Sequence, residues 1–211
     1  MARYTGPVCR LCRAEQKKLF LKGDRCKSDK CPINKKRGAP GKDPKARAGK
    51  RSEYGLQLRE KQKIRHMYGM QEKQFHITFE RANRMTGVTG ENLVALLEAR
   101  LDNVVFRMHF AVCRNLARQL VLHGHVTVNG KKVTIPSYSV KPGDVIEIKE
   151  ASKKLAVVQD SLKEISKSGT TPWISVDEDA VKGTFSAYPR RDEVTDLADV
   201  KEQLVVELYS K

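Results

Sequence analysis

Four cysteines within the first 31 residues, Cys9, Cys12, Cys26 and Cys31, are the strongest chemical signal in the chain. Two, thirteen and four residues separate them in turn. A Cys-x-x-Cys pair can close on one ion through a tight turn, and the later pair can complete a tetrahedron of thiolates. The spacing predicts one zinc ion; an iron–sulfur cluster, which also takes four thiolates, is the alternative centre. Two disulfides are a third reading. However, no apolar h-region follows Met1-Ala2-Arg3-Tyr4, so a secretory signal is not expected, and disulfides rarely persist in a reducing compartment. The expected location is cytoplasmic. With thiolate at all four positions no place is left for water or substrate, so the expected metal is structural. It would hold Arg10, Arg13, Lys17, Lys18, Lys22, Arg25, Lys27 and Lys30 in one arrangement, although their repulsion would otherwise keep the segment unfolded. Cys113 has no cysteine neighbour and sits among Phe110, Val112 and Leu116. It reads as a small buried hydrophobe.

The charge points to a polyanion. The 211 residues carry 41 Lys and Arg against 25 Asp and Glu, a net +16. Residues 1–50 hold 16 basic and 4 acidic side chains, whereas residues 151–211 hold 9 and 11. Such asymmetry marks a contact surface rather than a uniformly solvated one. A membrane-surface helix would set Trp, Phe or Leu opposite its charge, and Lys35 to Arg51 contains none of these. The longest apolar run, Leu93 to Leu97, falls far short of the roughly 20 residues that span a bilayer. Nucleic acid is therefore the expected partner, with no membrane and no small-molecule substrate. The five histidines do not make an enzyme: His123 and His125 flank a helix-ending glycine, where a cation suits the helix dipole. No H-E-x-x-H, Walker-type loop or nucleophile elbow is present.

These residues need elements to position them. Residues 32–52 hold three prolines and three glycines and read as an extended basic arm. Ser52 is a plausible N-cap for a helix with Leu56, Leu58, Ile64 and Met67 apolar and Arg59, Lys61, Lys63 and Arg65 on its polar side. A second helix is expected from Gln71 to about Met85 with Phe75 and Phe79 paired, ended by Gly87. Thr89 starts a third, with Leu93, Leu96, Leu97 and Leu101 on one face. A short helix over 102–110 and another from about Cys113, burying Leu116 and Leu120, follow. Arg114 and Arg118 fall four apart on its other face.

The period then changes to two. His125 to Val128, Asn129-Gly130, and Lys131 to Ile135 form a hairpin signal, and Pro142-Gly143-Asp144 turns into a strand over 145–148. Residues 152–166 look helical, with Leu155, Val158, Leu162 and Ile165 apolar. Gln203 to Tyr209 fits a strand or a loose packing segment equally well.

Several stretches resemble a known family. Ala99-Arg100-Leu101-Asp102-Asn103-Val104-Val105, Asn115 to Val121, His123 to Gly130 and Val140 to Asp144 resemble the small RNA-binding fold first described in small-subunit ribosomal protein four. Some pseudouridine synthases and tyrosyl-tRNA synthetases share that fold. The four-cysteine knuckle, Ser52-Glu53-Tyr54-Gly55-Leu56, Leu58 to Lys63 and the tail Glu202 to Glu207 resemble the ribosomal protein family itself. The likeness is loose over 36–47 and 166–195.

The resemblance implies an α+β chain. A mostly helical domain would carry the N-terminal zinc knuckle, joined to a small helix-turn-helix and β-hairpin RNA-binding domain. The expected divisions are knuckle and arm over 1–45, a helical domain over 46–98 joined by 196–211, the RNA-binding domain over 99–160, and a helical or loop extension over 161–195. It also implies a primary binder of 16S-type rRNA, in its 5′ domain, that nucleates assembly of the small-subunit body. Such a protein contributes to translational accuracy beside neighbouring ribosomal proteins five and twelve. RNA recognition needs cations on a rigid platform, because the deep, narrow A-form major groove excludes a reading helix. The expected platform is Arg114, Arg118, Lys131, Lys132 and Lys141, with Tyr138 available to stack. Arg3, Tyr4, Lys35, Lys36, Arg37, Arg51, Tyr54, Arg59 and Arg65 form a second group. The rival readings are a zinc-finger DNA-binding regulator, which wants a recognition helix and dimeric half-sites, and the RNA-binding part of an RNA-modifying enzyme. The latter needs a catalytic domain that residues 151–211 are too short to supply.

Overall fold

The computed structural model describes residues 3–41, 49, 52–163, 169 and 171–210. Most of the expected arm beyond Gly41 lies outside the described residues. The chain forms two compact units, Met1–Asn92 with Asp196–Lys211, and Leu93–Thr195.

In the first unit, α1 (Cys9–Glu15) carries Cys9 and Cys12, α2 (Asp24–Lys27) carries Cys26, and Cys31 lies beyond α2; α3 (Glu53–Met67) and α4 (Glu72–Arg84) form the helical body. Ser52 caps α3, its hydroxyl accepting from the Gly55 N–H at 3.2 Å, because a short polar side chain satisfies a donor left free at a helix start. The buried face of α3 is Gln57, Lys61, Ile64 and Met67, which corrects the expected face. Leu56 is exposed, and Lys61, assigned to the polar side, is buried. The reason is pairing: Lys61 reaches the Glu72 carboxylate at 2.5 Å, and Gln57 donates to Glu207 at 3.0 Å. On α4 the expected pair Phe75 and Phe79 is buried with Ala82.

The second unit begins within α5 (Thr89–Glu98) and continues through α6 (Leu101–Arg107) and α7 (Arg114–Leu122). Strands β1 (Val126–Val128), β2 (Lys131–Lys132) and β3 (Val145–Ile148) follow, then the short helices α8 (Glu150–Lys153) and α9 (Ala156–Leu162). Asn129 and Gly130 both take positive φ, 50° and 75°, as the tight hairpin between β1 and β2 requires. Segment 161–195, expected as a helical or loop extension, instead supplies β4 (Ile174–Asp177) and β5 (Lys182–Phe185). They complete an antiparallel five-stranded sheet ordered β2-β1-β3-β5-β4. A glycine at the core-facing position hides the strand period: the thioether of Met108 lies where a Cβ on Gly183 would sit, 2.9 Å away.

Two buried carboxylates hold the helices of this unit together. Glu98, fully shielded from solvent, accepts from Arg107 Nε at 2.9 Å and Nη2 at 2.8 Å, and from Asn103 at 2.7 Å. Asp102 accepts from Arg100 at 3.1 and 2.7 Å and from Arg118 at 3.3 Å. The segment before β3 docks on the same corner, since the Leu101 N–H donates to the Tyr138 carbonyl and the Val140 N–H to the Ala99 carbonyl. Cys113 is half-buried at the N-terminus of α7 rather than enclosed in the core.

The chain ends back in the first unit as α10 (Glu202–Tyr209), a helix and not a strand. Leu204, Val205, Leu208 and Tyr209 share one face at helical spacing. The Tyr209 ring lies 4.6 Å from Phe79 and 6.3 Å from Phe75, centroid to centroid. Its hydroxyl donates to Glu72 at 2.8 Å.

Removing one member of a buried, paired set leaves an uncompensated charge, at a cost of about 3–5 kcal/mol. Arg107→Ala is therefore expected to destabilise the second unit by that amount in urea unfolding. Arg118→Ala costs less, roughly 1–3 kcal/mol, because Asp102 keeps Arg100. A second expectation concerns acid. His66 is held near pKa 4, lowered by burial and then by the charges of Arg65 and Arg59. It is neutral at pH 7, and its 3.9 Å approach to Glu15 is not an ion pair there. The unfolded chain protonates this imidazole near pH 6.5 and the folded chain only near 4, so stability contributed by neutral His66 falls as pH drops from about 6.5 to about 4. Urea midpoints measured across that window are expected to decline less steeply in His66→Gln than in the native sequence.

Candidate nucleic-acid interface

On the second unit, the hairpin and the turn after Val140 present the expected cations to solvent. Lys131, Lys132 and Lys141 are exposed, and the Tyr138 ring is partly so. The stem of Lys132 crosses Gly124, where any Cβ would collide with it, so its ammonium lies at the C-terminal end of α7. A cation is favoured there by the partial negative charge of the last carbonyls. The turn is fixed by Asp144, which accepts from the Lys141 N–H at 2.8 Å and from Asn129 at 2.8 Å. The hairpin turn next to β2 and the turn that carries Lys141 are thus tied to each other.

Helix α7 corrects the expectation for its arginines. It buries Ala117, Arg118, Leu120 and Val121, and Arg118 is turned inward to Asp102 rather than out to solvent. Arg114 is half-buried; its Nε donates to Asn103 at 2.8 Å, and its guanidinium lies 4.6 Å from the centre of the Phe106 ring. The carboxylate that draws Arg118 in comes from another helix, and nothing local to α7 announces it.

The second group divides in the same way. Tyr4, Lys35, Lys36, Arg37 and Tyr54 are exposed and Arg3 is half-buried. Arg59 instead pairs with the buried Glu15 at 3.1 Å, and Arg65 donates to Gln62 at 2.8 Å. Arg51 lies outside the described residues. The fold also gathers Arg37 with Arg10, Arg13 and Arg25 around one pocket. Arg13 and Arg25 each stand twelve positions before the next member of this cluster, so no short sequence window contains it.

None of the five cysteines forms a disulfide. Cys12, Cys26 and Cys31 are buried and Cys9 is half-buried. Burial raises the Cys12 thiol pKa, a backbone hydrogen bond from Leu19 lowers it, and the charges of Cys26, Cys9 and Cys31 raise it further. All four sulfurs therefore share one neighbourhood. The Lys22 N–H also donates to the Cys26 sulfur at 3.4 Å. Among the described residues, no three His, Cys, Asp or Glu side chains are set at distances that would hold an ion, so the expected tetrahedron is not closed in this geometry. Nor is any described helix long and apolar enough to cross a membrane.

Comparison with known proteins gives this surface its context. Residues 3–98 match the family model for the ribosomal protein S4/S9 N-terminal domain, and residues 99–146 match the S4 domain. Among similar proteins are the small ribosomal subunit protein uS4 of Pelobacter propionicus, 56% identical, that of Geotalea daltonii, 54%, and that of Desulforapulum autotrophicum, 53%. Each aligns over 211 residues, covering all of both chains. Similarity of that depth and reach, across both units, means that the chain belongs to the family of small ribosomal subunit protein uS4.

Proposed function

We propose that this chain is a structural, non-catalytic protein of the small ribosomal subunit that binds 16S-type rRNA directly, within its 5′ domain. It acts in the cytoplasm, nucleates assembly of the subunit body and contributes to translational accuracy beside ribosomal proteins five and twelve. The observation that carries this reading is end-to-end similarity to proteins bearing that ribosomal name, joined to a cationic surface on tied loops. Exposed Lys131, Lys132 and Lys141 neutralise phosphates and release counterions, which gives affinity without reading sequence. Selectivity comes from shape and 2′-hydroxyls at unstacked junctions, where Tyr138 can stack. The buried arginines act one step back, keeping the platform rigid.

Competition at roughly physiological salt between folded rRNA 5′ domain and a random DNA duplex pool tests the reading. Retention of the rRNA and release of DNA is the expected result; enrichment of a DNA sequence would sink it in favour of a DNA-binding regulator. Lys131→Ala with Lys132→Ala is expected to weaken rRNA binding with little change in thermal midpoint. The salt slope should also become shallower, by about 0.7–0.9 for each phosphate that the variant no longer neutralises.

The four cysteines are proposed to hold one structural zinc ion. The fit rests on three buried sulfurs, on four that share one neighbourhood, and on N–H groups of Leu19 and Lys22 aimed at two of them. Sulfur acceptors that receive backbone N–H groups are oriented and stabilised as thiolates. Zinc supplies apparent folding free energy of about 10–16 kcal/mol in small finger peptides. Metal analysis is expected to find close to one zinc per chain. Cys26→Ser should unfold the N-terminal segment while residues 93–195 stay folded. Iron with sulfide, or no metal, would end the zinc assignment.

A further inference from the structure

The turn between β1 and β2 holds the one asparagine of six that is followed by a glycine, Asn129-Gly130. Asparagine is chemically labile, and a following glycine, with no side chain, leaves its nitrogen open to approach. Both residues are exposed, and no described atom lies within 4 Å of where a Cβ on Gly130 would sit. By sequence and exposure, Asn129 is the residue most open to losing its amide.

The fold restrains it. Asn129 Nδ2 donates to Asp144 at 2.8 Å, and its Oδ1 accepts from the Val145 N–H at 2.8 Å. A donor on one side and a carboxylate on the other fix which end of the amide is oxygen. The Asn129 N–H donates to the Val145 carbonyl at 2.8 Å. The second oxygen of Asp144 is engaged by the Lys141 N–H at 2.8 Å. Both polar atoms of the Asn129 side chain are thus held by the 144–145 segment. The carbon between them reaches the Gly130 nitrogen only after those bonds break.

We propose that Asn129 is a site of spontaneous deamidation guarded by this tie, and that the product cannot re-form it. When the tie opens, the Gly130 nitrogen gives up its proton and attacks Cγ of Asn129. The new N–Cγ bond closes a cyclic succinimide, the Cγ–Nδ2 bond breaks, and the amide leaves as ammonia with the proton that Gly130 lost. Water then opens the ring at either carbonyl, giving aspartate or isoaspartate. Nothing is oxidised or reduced. Aspartate keeps an acceptor for Val145 but sets a carboxylate where Asp144 needs a donor, and like charges that close repel. Isoaspartate also adds a carbon to the backbone of a turn whose geometry is tightly specified. Either product releases the Lys141 turn from the hairpin, so a chain whose hairpin has opened is chemically marked. The consequence for RNA rests on the RNA-binding reading; the chemistry at Asn129 does not.

The full chain is incubated in mildly alkaline buffer, folded and in urea, and residue 129 is followed by peptide mass spectrometry and isoaspartyl methylation. The folded native chain is expected to deamidate there at least about tenfold more slowly than the chain in urea, and folded Asp144→Ala at least about threefold faster than folded native, since each hydrogen bond adds a several-fold factor to the opening equilibrium. No deamidation at residue 129 in urea overturns the site. Equal rates in either comparison overturn the guard. If Asp144→Ala does not fold, Asp144→Asn replaces it under the same criterion, because it keeps an acceptor for Lys141 and loses the charge-assisted bond to Asn129.

Binding of the folded rRNA 5′ domain reads the consequence. Asn129→Asp is expected to bind several-fold more weakly than the native chain. Asn129→Gly, which suits the positive φ and adds no charge but has no tie, should weaken binding too. Asn129→Asp with Asp144→Asn should recover, because the amide at position 144 then donates to the carboxylate at 129 and still accepts from the Lys141 N–H. Native-like binding by either single variant, or no recovery in the double, overturns the disabling of the turn. A native chain that fails to bind rRNA defeats the functional reading, while the deamidation rates still decide the site.

Discussion

Glu98 and Asp102, two carboxylates buried at the corner where α5 passes into α6, are the constraint on which the second unit depends. Each is charged and out of water, so each must be matched by donors in a fixed geometry. Arg107 and Asn103 satisfy Glu98, and Arg100 and Arg118 satisfy Asp102. Asn103 then accepts from Arg114 through its carbonyl oxygen, which links α7 to the same corner. Apolar side chains of equal volume would pack there with similar or better net stability, but they would tolerate rotation and sliding. A bidentate guanidinium tolerates neither. The network therefore sets the register of three helices and of the Pro136–Val140 segment that leads into the sheet.

A strongly basic chain has to separate cations that build the fold from cations that meet a partner. Arg100, Arg107 and Arg118 belong to the first class because each finds a buried carboxylate. Lys61 joins them in the first unit through Glu72. Desolvation pulls the pKa of that carboxylate up, but hydrogen bonds from Lys61 and Tyr209 and the charges of Lys61 and Arg65 together lower it. The lysines of the hairpin and turn belong to the second class: they face solvent, and among the described residues none is ion-paired with a carboxylate. This division makes chemical sense. Arg suits fixed planar pairing inside the protein, while the hydrated Lys ammonium stays at the surface.

The N-terminal segment follows a different logic. It carries most of the net positive charge and few apolar residues, with Leu19 and Leu21 forming most of its non-cysteine core. Burial of so little surface cannot offset both chain entropy and charge repulsion. The structural zinc proposed for the four cysteines would supply the missing free energy.

Local chemistry in the sequence determined a good deal. Ser52 as a cap, the Phe75–Phe79 pair, Asn129-Gly130 as a tight hairpin and the strand after Pro142-Gly143-Asp144 depend on neighbours within a few residues, and each is found where expected. The family resemblance, carried by contiguous motifs, was legible for the same reason. Tertiary structure alone decided the rest. Arg118 looks solvent-facing until Asp102, sixteen residues earlier, claims it. Lys61 and Gln57 turn inward because Glu72 and Glu207 wait for them, and that rotation leaves Leu56 in water. Strand β5 has no alternating apolar signal because its inward position is Gly183, whose face is filled by Met108. The tail is ambiguous as a linear string and becomes a helix because Tyr209 must reach Phe79 and Glu72 together. In each case the deciding partner lies beyond the reach of a helical turn or a hairpin, so the energy that selects the conformation has no local signature.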